Sequence, residues 1–231
     1  YKERNRLLSF IILLGLVLGL IILEPDLGTA VIIGSLAVIL YFLSGAPIYQ
    51  FLFLIPSGLL AVLGLALTSE YRYRRLMTFV NPSEDPLGAS YHVRQMLLAL
   101  GSGGLFGTGI GKSRQKFSYL PEATTDSIFA IIGEEFGFIG VSVVLLLFMV
   151  LIYRGFKIAG KAPTRFGQLL AGGITSWFAI QTTINLGAVT ALLPLTGAPL
   201  LLISYGGSSL IVTFYAIGIL LNISKQSGSG R

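Results

Sequence analysis

No cysteine occurs in the chain, which excludes disulfide frameworks, iron–sulfur clusters and thiol nucleophiles. Histidine is almost as scarce: His92 stands alone, removing the usual zinc sites. Charge is the third shortage. Only 11% of the 231 residues are charged while 54% are hydrophobic, against about a quarter charged in a soluble domain. Mean hydropathy is +0.82, and apolar runs approaching twenty residues recur, so the solvent this chain is built for is a bilayer. The first residue is Tyr1 and no signal-peptide pattern is present. The sequence therefore reads as the later part of a longer membrane protein, ending in a flexible tail at 226–231.

Six stretches have the composition and length to span: 7–23, 27–43, 48–67, 128–153, 169–189 and 200–223. Each is near the roughly 20 residues that carry a helix across about 30 Å of hydrocarbon. The expected fold is all-α, a polytopic transmembrane bundle: three helices in 1–67, a large loop in 68–125, and three more helices in 126–225. EPDLG joins the first two spans, with Pro25 ending one helix and Asp26 capping the next. SGAP joins the second and third. The fourth is long enough to begin above the membrane surface or to tilt.

Charge sets the orientation. With six crossings both ends share a side, and that side carries Lys2, Arg4, Arg6, Arg154, Lys157, Lys161, Arg165 and Lys225 against the single acid Glu3. Short basic loops face the cytoplasm, so both termini are expected inside and the 68–125 loop outside. That loop is itself basic, with Arg72, Arg74, Arg75, Arg94, Lys112, Arg114 and Lys116. Two readings stand: a solvated loop touching anionic headgroups, or a site for an anionic ligand. The second draws on GSGGLFGTGIGKSRQK, where six glycines in eleven residues precede three bases. Glycine lets backbone come close to a ligand, and cations neutralise phosphate. A nucleotide loop is ruled out, because the G-x-x-x-x-G-K-S pattern ending at Ser113 finds Phe106 where a glycine belongs, and no strand precedes it.

Asp126 follows Thr124 and Thr125 and precedes an apolar run. Alone it reads equally as a helix cap or, beside Glu122 and the bases at 112–116 at a water–lipid boundary, as a general base. Glu134 and Glu135 fall inside the fourth span, where ionisable groups face a bundle interior or a wet cavity. At about 100° per residue Glu134 lies about 80° from Asp126, so it is placed in a shared cavity, whereas Glu135 faces the other way and suits pairing with another helix. LTGAPLLLISYGGSS, 195–209, sets Ser204, Tyr205 and Gly206 in irregular backbone at membrane depth. Such backbone either lines a cavity or makes a plain re-entrant turn. Asn185 and Gln181 suit interhelical hydrogen bonding.

EPDLGTA, NPSEDPLGASYH, the run GSGGLFGTGIGKSRQKFSYLPEATTDSIFAIIGEE and PLLLISYGGSSL resemble the SEDS family, the RodA and FtsW peptidoglycan glycosyltransferases of bacteria. The likeness runs in order along essentially the whole chain, and GKSRQKFSYLPEA is nearer to the FtsW branch. The resemblance implies ten transmembrane helices, of which these are the last six, in the bacterial cytoplasmic membrane. It implies polymerisation of lipid II into a growing glycan strand beside a class B penicillin-binding protein, the transpeptidase, and among divisome or elongasome membrane proteins, with no nucleic acid. The catalytic aspartate of LPE-x-x-TD falls on Asp126. Where the family often has His-Thr-Asp-Phe this chain has Thr124-Thr125-Asp126-Ser127, and the family's Gln-Pro-Ser-Glu segment belongs to helices not in this sequence.

Residues and resemblance meet in one scheme. Asp126 takes the proton of the acceptor sugar's 4-hydroxyl, and Lys112, Arg114, Lys116 and Arg75 (or Arg72) stabilise the departing pyrophosphate, with Glu122, Ser204, Tyr205 and Gly206 lining the site. No covalently bound cofactor is expected; a divalent cation, magnesium or manganese, would add to the charge neutralisation. Two rivals remain: a transporter of the lipid-linked precursor, using Glu134 and Glu135, and a scaffold that recruits a partner enzyme.

Overall fold

The computed structural model describes residues 2–24, 26–80, 89–113 and 125–228, and the sequence-predicted site residues Arg114, Lys116 and Glu122 lie outside them. Eight α-helices are present among the described residues, and no strand. They are α1 (Lys2–Leu23), α2 (Leu27–Leu43), α3 (Phe51–Leu67, entered through a 3₁₀ turn at Ile48–Gln50), α4 (Glu70–Val80), α5 (Ala89–Ser102), α6 (Ile128–Lys161), α7 (Arg165–Val189) and α8 (Gly207–Gly228).

Local chemistry explains the boundaries. Asp26 caps α2 as expected: its carboxylate accepts from Thr29 N at 3.0 Å and from the Thr29 hydroxyl at 2.5 Å. Thr164 caps α7 by accepting from Gly167 N at 3.1 Å. Arginine side chains satisfy orphaned carbonyls at two helix ends, Arg165 Nη2 on Leu43 O at 2.7 Å and Arg72 Nη1 on Leu65 O at 3.2 Å. The latter gives Arg72 a capping task in place of the ligand contact that its charge suggested.

Four helices are long and apolar enough to cross a membrane: 6–23, 48–67, 128–161 and 207–226. Leu27–Leu43 is shorter at 17 residues. α7 is long enough at 25 residues but buries Thr175, Ser176, Gln181, Thr182 and Asn185. It is the hub, packing on α6, α2 and α8. Close crossing depends on small residues, as is usual between helices in lipid. A Cβ on Gly155 of α6 would lie 2.3 Å from Thr175 Oγ1, and one on Gly173 would lie 2.9 Å from Leu40 of α2. α1 contributes no buried residue and presents Leu13, Leu16 and Leu20 outward, a face matched to hydrocarbon.

Three expectations need correction. The sixth span starts at Gly207 instead of 200, because Gly197 (φ 72) and Leu202 (φ 67) turn the chain left-handed before it; it then runs to Gly228, so 226–228 are helical where a tail was expected. The fourth extends to Lys161 and is broken at Gly137. The region 68–125 is more than a loop. It contains α4 and α5, and α5 is docked on α6 with Met96 and Ala99 fully buried against Phe129, Ala130 and Phe148.

Candidate active site around Asp126

The turn 125–127 is held from three directions before α6 begins. Asn185 of α7 donates through Nδ2 to Asp126 O at 2.9 Å and to Ala198 O at 2.8 Å. Ser204 donates its hydroxyl to Thr125 O while accepting from Leu200 N at 2.7 Å. His92 Nε2 lies 2.7 Å from Ser127 Oγ. One helix, one loop and one further helix therefore hold three consecutive residues, two by their main-chain carbonyls and Ser127 by its side chain, each through a buried or half-buried polar group. Directly beneath lies the apolar cluster of Met96, Phe129, Val189 and Leu200. The backbone at Asp126 has no freedom to slide.

The carboxylate is treated differently. Asp126 is half-buried, and among the described residues its side chain accepts only from Thr125 Oγ1, at 3.2 Å. The helix-cap reading fails here: Ser127 occupies the N-cap, and Asp126 stands one residue outside it. The one ion pair among the described residues is Arg74–Glu70, 2.7 Å apart on the surface. Asp126 is thus an acid group on a rigid mount, with its oxygens open to a proton donor that the described chain does not supply.

The glycine run has a different partner from the one its composition suggested. In an unbroken helix Phe138 N–H and Ile139 N–H would donate to Glu134 O and Glu135 O. Gly137, at φ 64 and ψ −165, breaks that ladder. Phe138 N instead donates to Gly104 O at 2.8 Å and Ile139 N to Leu105 O at 3.3 Å. The vacated carbonyls accept in turn, Glu134 O from Thr108 N at 2.9 Å and Glu135 O from Gly109 N at 3.1 Å. Helix and loop exchange hydrogen bonds, so no backbone group at the break is orphaned. Such an approach requires glycine. A Cβ on Gly103 would sit 1.9 Å from Gly133 O, and one on Gly107 would sit 2.1 Å from Glu135 O. The close contact inferred from the glycines is present, but it is made to the α6 main chain.

The remaining predicted residues distribute as follows. Glu134 is 3% exposed and accepts from buried Ser113 Oγ at 2.5 Å through Oε2, so it ties the end of the glycine loop to α6. Glu135 is also buried, with Oε1 lacking a hydrogen-bond partner among the described residues. Lys112 is exposed at the loop's end, its stem folded over Gly109. Arg75 reaches Leu195 O at 3.4 Å and so belongs with the 190–206 connection. Ser204 acts inside the clamp, Tyr205 is 78% exposed, and Gly206 begins α8 through its carbonyl to Leu210 N at 2.9 Å. Gln181 donates to Pro199 O at 2.9 Å and accepts from Trp177 of its own helix at 2.7 Å, so it ties α7 to the 190–206 connection where an interhelical bond was expected. Among the described residues no three His, Asp or Glu side chains come together. Sequence reasoning missed His92 and the task of Asn185. An amide at membrane depth was a signal for Asn185, as for Gln181; nothing local marked the contact of His92.

Comparison with known proteins now has a site to attach to. The family profile for cell cycle proteins of the FtsW, RodA and SpoVE type matches residues 1–229. The chain is 49% identical over 222 residues to stage V sporulation protein E of Bacillus subtilis, covering 95% of this chain and 61% of that protein. It is 45% identical over 232 residues to a probable peptidoglycan glycosyltransferase FtsW of Escherichia coli O6:H1, covering 98% and 56%. Among solved structures, one describing the coordination of polymerization and crosslinking by a peptidoglycan synthase complex superposes with TM-score 0.74 at 29% identity, covering 94% of this chain and 61% of that one. The crystal structure of the rod shape determining protein RodA of Thermus thermophilus superposes with TM-score 0.62 at 30% identity, covering 95% and 56%. The chain spans about 60% of the length of the relatives it matches. With the family profile matched from end to end and the polytopic helical fold shared, this chain belongs to the FtsW, RodA and SpoVE family of membrane proteins, the SEDS family.

Proposed function

We propose that the chain is the larger, catalytic part of a peptidoglycan glycosyltransferase that polymerises lipid II at the outer face of the bacterial cytoplasmic membrane, in cell division or sporulation. The observation that carries the proposal is the contrast at Asp126: a turn held at two carbonyls by Asn185 and Ser204 and at the Ser127 side chain by His92, under a carboxylate left to a neighbouring threonine hydroxyl. A general base needs this combination, because it must hold position to within a hydrogen bond while keeping a lone pair for the incoming proton.

Asp126 accepts the proton of the acceptor sugar's 4-hydroxyl as that oxygen bonds to the donor's anomeric carbon. The bond from that carbon to the lipid pyrophosphate breaks with inversion, and the pyrophosphate leaves with the electron pair. Its charge is met by Lys112 at the exposed end of the glycine loop and by Arg114 and Lys116, which follow it in sequence. Both termini are cytoplasmic, which puts Asp126, the glycine loop and the 190–206 connection together outside. A class B penicillin-binding protein crosslinks the product, in keeping with the likeness to a synthase complex that couples polymerization to crosslinking.

The transporter reading loses support from the same geometry. Glu134, its natural proton relay, is engaged by Ser113, and the irregular backbone beside it is locked by four main-chain hydrogen bonds. The deciding experiment uses the complete protein in detergent with lipid II freely accessible. Polymeric glycan is the expected product; consumption of no lipid II under conditions where a vesicle assay shows its translocation would decide for the transporter.

A further inference from the structure

A second polar site lies at the same end of the bundle, between α4, α5 and the connection after α7. It is a cavity of about 220 Å³, below the size of a typical pocket for a whole small ligand but sufficient for a headgroup. Four polar side chains line it: Arg75 and Thr78 of α4, Ser90 and Arg94 of α5. Ser90 is 3% exposed and its hydroxyl has no hydrogen-bond partner. A buried hydroxyl left without a partner costs free energy unless something that is not part of the chain accepts or donates there. Apolar side chains complete the lining, and Phe79, Leu97 and Leu193 among them are exposed at its rim.

We infer that this cavity binds the phosphate ester of a membrane lipid. Two guanidinium groups recognise a phosphate by charge and by paired N–H donors, and the hydroxyls of Ser90 and Thr78 supply the remaining contacts to its oxygens. The exposed apolar rim receives the first carbons of the aliphatic chain, which a free phosphate could not cover. α5 makes the arrangement possible. Its Ser90, Val93, Arg94 and Leu97 occupy one helical face turned to the cavity, while His92, Met96 and Ala99 sit on the face that docks α6 and holds the Asp126 turn. Lipid bound here braces the helix that positions Asp126. The phosphate could come from bulk phospholipid or from a polyprenyl carrier, and both present the same chemistry to the four side chains.

The test is native mass spectrometry of the complete protein released from nanodiscs, titrated separately with phosphatidylglycerol and with undecaprenyl phosphate. One tightly held phosphorylated lipid is expected on the wild type. Arg94→Gln, at an exposed position that folding does not need, should weaken it about tenfold or more. Ser90→Ala should weaken it as well while leaving the thermal stability of lipid-free protein unchanged or raised, since the removed hydroxyl has no partner to lose. Preference for phosphatidylglycerol would assign the site to bulk lipid and preference for undecaprenyl phosphate to the carrier; either supports the inference. Absence of a retained phosphorylated lipid, or equal retention by wild type and both variants, would overturn it.

Discussion

At the scale of single residues the site is a division of labour between main chain and side chain. Asp126 leaves its carboxylate half-exposed and gives its carbonyl to Asn185. Asn185→Ala strips the donor from two carbonyls at once, those of Asp126 and Ala198. About 1–3 kcal/mol of stability should be lost, measurable as a lower unfolding midpoint in detergent, together with a fall in kcat larger than any change in KM. His92→Ala removes the contact to Ser127 Oγ. It should lower kcat with little change in the unfolding midpoint, and recovery of kcat in His92→Gln would identify a hydrogen bond rather than ring packing as the cause. Asp126 itself was legible in the sequence, since a threonine-flanked acid at the head of an apolar run, in an LPE-x-x-TD pattern, is a local signal. The clamp was not. Its partners lie 35, 59 and 79 residues away, and only the folded chain brings them to three adjacent peptides.

The elements show where pattern reading stops. Apolar runs placed α1, α2, α3, α6 and α7 to within a few residues at most boundaries, because burial in lipid leaves a long, coarse signature. α5 carries a readable helical spacing at Val93, Met96 and Leu100, yet it was absorbed into a loop on account of the polar residues around it. The exchange at Gly137 left no periodic trace at all: its signal was glycine abundance, which is equally compatible with a ligand cradle. The exchange makes a sharp contrast between glycines. Gly107→Ala would place a methyl carbon 2.1 Å from Glu135 O, and Gly137→Ala adds a left-handed φ of 64° to a 2.4 Å approach to Gly107 N. Each should cost about 3 kcal/mol or more and sharply reduce the yield of monodisperse protein on size exclusion. Gly101→Ala, with nothing within 4 Å of the new carbon, should purify like the wild type. Equal yields from all three would mean that the loop is not seated on α6.

For the molecule as a whole, α7 is the polar axis around which more apolar helices are arranged, and everything assigned to the site gathers at one end of it. The proposed orientation, with the basic residues at 154–165 and near the termini facing the cytoplasm, puts that end outside. Because this sequence has no cysteine, introduced thiols report topology cleanly in a cysteine-free background. Lys112→Cys should react with an impermeant maleimide on intact spheroplasts, and Lys161→Cys only after permeabilisation; the reverse pattern would invert the bundle and remove the site from its substrate. Composition already announced the bilayer, whereas the packing of Gly155 on Thr175 and of Gly173 on Leu40 depends on partners in other helices. The most direct measurement of the central claim is glycan-strand length made from lipid II by the complete protein and its Asp126→Asn variant, both verified as folded by size exclusion. Loss of a positioned base predicts a rate lower by about 10²–10⁴-fold. Strands made by the variant at the wild-type rate would contradict the assignment of Asp126.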